Sequence, residues 1–129
     1  PQKDFWHKKM MWYGPCGIGT ARGLEGFVDH HQLPFRLTFK ERNYWKIGHY
    51  VELGDGPYSM TGGWHSITAT HGSKDWLGYE PTQKKITMRV MDFYLHDEGL
   101  IRENWVPIDI VHILKQLDID VFKLVEKMR

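Results

Sequence analysis

Apolar and polar positions follow two periods along this chain, and the changes of period mark its elements. Lys9 to Tyr13 is a short apolar run stopped by Gly14-Pro15, which predicts a strand entering a turn. Beyond Gly23, the positions Leu24, Phe27, Val28 and His31 follow the i, i+3, i+4, i+7 template of one helix face, and Pro34 is expected to break or kink that helix. From His49 the period is that of strands. Tyr50 to Leu53, a Gly54-Asp55-Gly56-Pro57 turn and the long run Tyr58 to His71 predict a β-hairpin. Its Gly62-Gly63 pair predicts a bulge or sharp bend, because glycine weakens a strand unless the backbone must curve. After a loop around Gly72 to Thr82, the runs Lys85 to Leu95 and Leu100 to Val106 flank Asp97-Glu98-Gly99 as a second hairpin, with Ile86, Met88, Val90, Asp92 and Tyr94 on one face. Ile110, Ile113, Leu114 and Leu117 define an amphipathic helix with Asp109 as its N-cap and Pro107 just before it, and Val121, Leu124, Val125 and Met128 repeat the pattern behind Asp120. Strand, helix, four antiparallel strands and short helices, in that order, predict an α+β fold in which a helix packs against a curved sheet. A bent sheet closed by helices encloses a cone-shaped pocket.

Composition narrows what that pocket is for. The 129 residues suffice for one domain, read here as a single unit over residues 1–129. Lys+Arg number 17 against 16 Asp+Glu, so no charge field for nucleic acid is present and no nucleic-acid partner is expected. Aromatic residues reach 14%, which suits a thick core or a pocket for a small apolar or aromatic ligand. The single cysteine, Cys16, excludes an intrachain disulfide and a Cys-based zinc site, and fits a reducing, cytoplasmic compartment. No stretch approaches the roughly 18 consecutive apolar residues of a membrane span, so no membrane partner is expected. The chain starts at Pro1 rather than Met, with Phe5, Trp6, Met10, Met11 and Trp12 soon after, and is read as cut from a longer one.

Candidate chemistry is sparse. Gly17-Ile18-Gly19-Thr20-Ala21-Arg22-Gly23 looks like a dinucleotide loop, but the required βαβ unit is missing and the spacing departs from G-x-G-x-x-G, so it reads as a connecting loop. The adjacent pair His30-His31 points in two directions on a helix. His65 and His71 share a strand face if no bulge intervenes, yet stand roughly 20 Å apart, so no metal site is expected. The carboxylates say more. Asp92 sits on an otherwise apolar strand face, where a carboxylate is paired, solvated in a pocket, or raised in pKa by burial. Asp109 admits two readings of similar weight, a helix cap accepting from the His112 N–H or a group aimed into the concave face of the sheet. Glu103 reads as a surface or cross-strand ion-pair residue.

Several of these pieces stand together in a recognisable order. Thr70-His71-Gly72, Trp76-Leu77-Gly78-Tyr79-Glu80-Pro81-Thr82, the hairpin Met91-Asp92-Phe93-Tyr94 to Asp97-Glu98-Gly99-Leu100-Ile101, then Glu103-Asn104-Trp105 to Asp109 and Gln116-Leu117 resemble the SnoaL-like polyketide cyclase (ester cyclase) family, within the nuclear-transport-factor-2-like superfamily. The resemblance runs from about Gly14 to Leu117. It implies a cone-shaped α+β barrel around a mostly apolar cavity, homodimerisation through the convex sheet face, and helices ahead of the first strand that cap the cone. This chain starts after those helices, as a fragment, as one half of a tandem protein, or with another subunit closing the mouth. The resemblance further implies aldol-type ring closure or isomerisation of an enolisable small molecule without metal or cofactor. Asp109 stands at the family's acid/base position, and Asp92 stands where a polyketide cyclase of the family holds a pocket-facing His. A low-dielectric pocket shared by Asp109 and Asp92 would raise the pKa of both. His65, His71, Trp105, Trp64 and Tyr94 are the candidate substrate-binding residues. Two alternatives stay open: a non-catalytic ligand-binding or dimerisation module with the same fold, and a hydrolase or dehydratase using Asp92 with His65.

Overall fold

A computed structural model describes residues 1–43 and 48–129. Seven strands form one sheet: β1 (Trp6–Tyr13), β2 (Thr20–Arg22), β3 (Phe39–Asn43), β4 (Val51–Asp55), β5 (Tyr58–His71), β6 (Lys85–Asp97) and β7 (Leu100–Trp105). Their order is β2-β1-β7-β6-β5-β3, with β4 paired to the far end of β5 beyond β3. All pairs are antiparallel except β1 with β7, which run parallel. The helical elements are α1 (Gly23–Phe27), a π-helical turn (Val28–Gln32), α2 (Leu33–Thr38), α3 (Ile110–Gln116) and α4 (Val121–Glu126). The fold is the α+β arrangement expected, a strongly curved sheet with a few helices.

Both predicted hairpins form. The β6–β7 connection is the two-residue loop Glu98-Gly99, with φ +50° and +77°, the double left-handed turn whose twist matches that of paired strands. Three details differ from the pattern-based expectation. Pro34 does not end the first helix. It stands near the start of α2, and the turn before it widens so that the Leu33 N–H bonds to the Val28 carbonyl, five residues back. A proline has no N–H for the α-helical ladder and crowds the carbonyl four residues back, and a π turn relieves that crowding without breaking the helix. The bulge in β5 lies after the Gly62-Gly63 pair. Gly62 and Gly63 stay in register opposite Met91 and Val90, and the register shifts between Trp64 and Ile67, where His65 takes φ +96°. Glycine is needed at 62 because a Cβ there would run into the Met91 sulfur and the Val90 carbonyl. Finally, β2 and β3 carry no clear period of their own; sheet neighbours rather than local alternation make them strands.

The core lies between the concave sheet face and the helices. Met10, Trp12, Phe39, Met88 and Ile113 are completely or almost completely buried, each contributing on the order of 2 kcal/mol by removal from water. Phe39 joins the helix to the sheet, with its ring 5.1 Å from Phe35, 5.8 Å from His71 and 5.2 Å edge-on to Trp76. Gln116 fastens α3 to the sheet as a strand would: its amide oxygen accepts from the Thr87 N–H at 2.9 Å and its amide nitrogen donates to the Thr87 carbonyl at 2.9 Å. No helix among the described residues is long and apolar enough to cross a membrane.

Candidate active site

Strand alternation decides which side chains meet inside the cone. On β6 the inward set is Ile86, Met88, Val90, Asp92 and Tyr94; on β7 and its continuation it is Asn104, Val106 and Ile108. The lower residues fill the core, and the upper ones border a cavity of about 250 Å³ walled by Trp6, Trp12, Phe27, His31 and Phe35. Asp92 is the acidic group bordering this cavity. The Asn104 amide, buried, donates to its Oδ1 at 3.2 Å and to the Phe93 carbonyl at 3.2 Å. His49 Nδ1 stands 3.8 Å from its Oδ2 and 2.9 Å from the hydroxyl of Thr61, the residue paired across the strands with Asp92. Burial pushes the Asp92 carboxyl above the usual carboxylate range, against the opposing pull of Asn104, His49 and Tyr94. Burial and the Asp92 charge likewise push the Tyr94 phenol up. Proton uptake is therefore easier at Asp92 than at an exposed aspartate.

Asp109 stands elsewhere, so the shared Asp109–Asp92 pocket does not form. Counting by two from Asn104 brings Val106 and Ile108 inward and turns Trp105, Pro107 and Asp109 away. Ile108 pairs with Val90, and the Asp109 N–H bonds to the Arg89 carbonyl, on the strand position that faces outward with Trp64. Both Asp109 oxygens are engaged there: Oδ1 accepts from the His112 N–H at 2.9 Å as the N-cap of α3, and Oδ2 meets Arg89 Nη1 at 3.2 Å. The Arg89 guanidinium also lies 4.9 Å from the centre of the Trp64 ring.

Of the expected ligand-contacting residues, Tyr94 borders the cavity with Asp92, and the other four do not. Trp64 and His65 are exposed on the outer face, the latter inside the bulge that also separates it from His71. This bulge likewise removes His65 as a partner for Asp92. His71 is fully buried against Phe39, and its Nδ1 meets the Thr82 hydroxyl at 3.2 Å, so it ties down the loop after β5. Trp105 stacks on Tyr13 outside the cone, ring centres 5.7 Å apart. The sequence places His31 on a helix face and weighs it only as a metal ligand beside His30, and it assigns no pocket role to His49 or Asn104. Period-two counting along β7 would have found Asn104; His49 and His31 reach the cavity only through the path of the chain around it. The Gly17-Gly23 stretch is not a plain loop: its Thr20–Arg22 forms β2, antiparallel to β1, and Gly23 opens α1, so no βαβ unit is present. Cys16 is exposed and unpaired. Among the described residues no three His, Cys, Asp or Glu side chains gather as metal ligands would.

Comparison with known proteins agrees with this architecture. The model of the SnoaL-like polyketide cyclase family matches residues 1–117. No curated protein matches the sequence. Among solved structures, IdmH, a candidate polyketide cyclase from Streptomyces antibioticus, superposes with a TM-score of 0.69 at 20% identity, over 92% of this chain and 85% of that one. A candidate polyketide cyclase from Acidithiobacillus ferrooxidans gives 0.70 at 20% identity, over 91% and 80%. A Catenulispora acidiphila protein with a ketosteroid isomerase-like fold, in complex with trimethylamine, gives 0.66 at 8% identity, over 91% and 79%. These likenesses establish the nuclear-transport-factor-2-like fold, and the family match over nearly the whole chain establishes more: the protein belongs to the SnoaL-like polyketide cyclase family.

Proposed function

We propose that this chain is a cofactor-independent acid/base enzyme that closes a ring in, or isomerises, a small enolisable carbonyl compound, and that Asp92 carries the proton. The observation behind this reading is the Asp92 carboxyl itself, desolvated at a cavity wall, oriented by the Asn104 amide and raised in pKa. A carboxylate in that state suits removal of an acidic proton from carbon, because its basicity is brought toward that of the carbon acid. In the closure, Asp92 takes the proton from carbon flanked by carbonyls, the C–H bond breaks, and the resulting enolate carbon bonds to an internal carbonyl carbon. The Asp92 carboxyl then returns its proton to the new alkoxide oxygen, so atoms and charge balance without another reactant. Asp109, occupied by the α3 backbone and Arg89, serves in this reading as a cap and not as the base. The aromatic walls favour a flat substrate segment.

The test is deuterium exchange from solvent into the α-carbon of a panel of aryl ketones and β-keto esters, acetophenone among them. Wild type and Asp109→Asn are expected to accelerate exchange, and Asp92→Asn to lose the acceleration. Exchange that survives Asp92→Asn overturns the assignment of the base. A wild type that binds these compounds without exchanging them marks the cavity as a binding module instead.

A further inference from the structure

We propose that His31 is a second catalytic residue: a neutral imidazole that donates a hydrogen bond to the substrate oxygen on which negative charge appears when Asp92 removes a proton from carbon. This inference rests on the reading of Asp92 as the proton-transfer group, and it supplies what that reading lacks, a donor for the enolate oxygen.

Three observations converge on His31. The first is its setting. Its ring is stacked on Trp12, centres 3.9 Å apart and planes 19° from parallel, with Phe27 at 5.5 Å and Phe35 at 5.6 Å. The ring is half-buried in this aromatic box and its nitrogens are not sealed off by protein, so they stay within reach of whatever enters the cavity. The second is that neither nitrogen has a protein partner. Each other histidine that is not exposed has one ring nitrogen in a hydrogen bond: His7 with the Lys9 N–H, His49 with Thr61, His71 with Thr82, His96 with Ser59 and His112 with Gln116. His31 has none among the described residues, and it borders the same cavity as Asp92. The third is the backbone that holds it. His31 lies in the π turn that accommodates Pro34, and the extra residue of that turn sets where the His31 ring lies against Trp12, Phe27 and Phe35.

Charge completes the argument. Burial pulls the His31 pKa down to about 4, so the ring is uncharged at neutral pH. A neutral imidazole N–H close to a developing oxyanion stabilises it without forming an ion pair with Asp92 that would quench the base. The ligand class follows: a flat ketone or β-dicarbonyl segment lying along the aromatic wall, its oxygen toward His31 and its acidic carbon toward Asp92.

The probe is p-nitrophenol, whose phenolate is a flat oxyanion with a visible absorbance. It is titrated into Asp92→Asn protein, where removing the carboxylate charge favours the anion, and then into the double variants with His31→Phe and His31→Gln. Histidine-labelled NMR spectra follow the His31 ring. Binding is expected in the Asp92→Asn protein, with a shift of the His31 signal. His31→Phe, which keeps the stacking, is expected to weaken it about tenfold or more, the loss typical of a hydrogen bond to a charged oxygen. His31→Gln, which restores a donor, is expected to recover most of it. Near-UV circular dichroism checks that each variant is folded. Equal affinity in the His31→Phe protein, or no binding in Asp92→Asn protein, overturns the inference while leaving the Asp92 exchange result to stand by itself. Loss of binding on His31→Phe together with exchange that ignores Asp92→Asn would retain the donor and discard the base.

Discussion

At the scale of single residues the two aspartates separate by what holds them. Asp92 is kept where its charge is disfavoured, so its folded pKa lies above its ordinary value of 3.8. At any pH above that value the unfolded chain releases this proton more readily than the folded one, so ionised Asp92 lowers stability at neutral pH. Asp92→Asn is therefore expected to abolish proton transfer and raise Tm together, a pairing that a merely structural aspartate would not produce. Thermal unfolding at neutral pH and again near pH 3 checks it, since the gain should shrink once the carboxyl is protonated in both states. Asp109 behaves the other way. Asp109→Ala removes a helix cap and a partly exposed ion pair, and is expected to cost about 1–2 kcal/mol in urea unfolding while exchange activity persists. Activity lost in proportion to Asp109 rather than Asp92 would reverse the assignment.

Elements carry the next set of constraints. Gly62 lies in β5 where the neighbouring strand comes close, and Gly62→Ala is expected to destabilise by roughly 1–3 kcal/mol, as overpacking against Met91 and the Val90 backbone must push β6 away. Because Asp92 follows immediately on that stretch of β6, the same variant should also slow exchange; a variant as stable as wild type would mean the strands yield freely. The long, well-marked elements were legible in the sequence: both hairpins, the α3 helix with its Asp109 cap, and the inward set Ile86 to Tyr94 follow from periods of two and 3.6 and from turn residues. Irregularities were not. The bulge at His65 is set by how β5 bends over β6, and the π turn by the way the helix accommodates Pro34 instead of breaking. Those two irregularities fix where His65, His71 and His31 point, so strand alternation alone puts Asp92 and Tyr94 at the cavity wall but misplaces His65. His71 is a candidate for substrate binding by sequence, and Thr82 and Gln116 belong to the motif that carries the resemblance, yet all three fasten a loop and a helix to the sheet.

For the molecule as a whole, the desolvated histidines and the desolvated Asp92 oppose each other as pH falls. His31 has a folded pKa of about 4 against 6.5 in the unfolded chain, so between those values the unfolded state takes up the proton first and stability drops. The drop from this one group approaches about 3 kcal/mol once pH is below 4. His71 and His112, both lowered chiefly by burial, act in the same direction, while Asp92 regains stability as it protonates. The large downward shift of His31 predicts acid destabilisation between pH 6.5 and 4, opposed in part by Asp92. Urea unfolding at closely spaced pH values is expected to show this slope in wild type, a shallower slope in His31→Phe, and a steeper one in Asp92→Asn, which no longer has the compensating proton. An unchanged slope in His31→Phe would mean that the ring is solvated or protonated in the folded state. Because the acid sensitivity from His31 and its neutrality across mildly acid pH depend on the same burial, solvation of that ring would lessen the slope and let the ring charge near pH 6.5 instead of about 4.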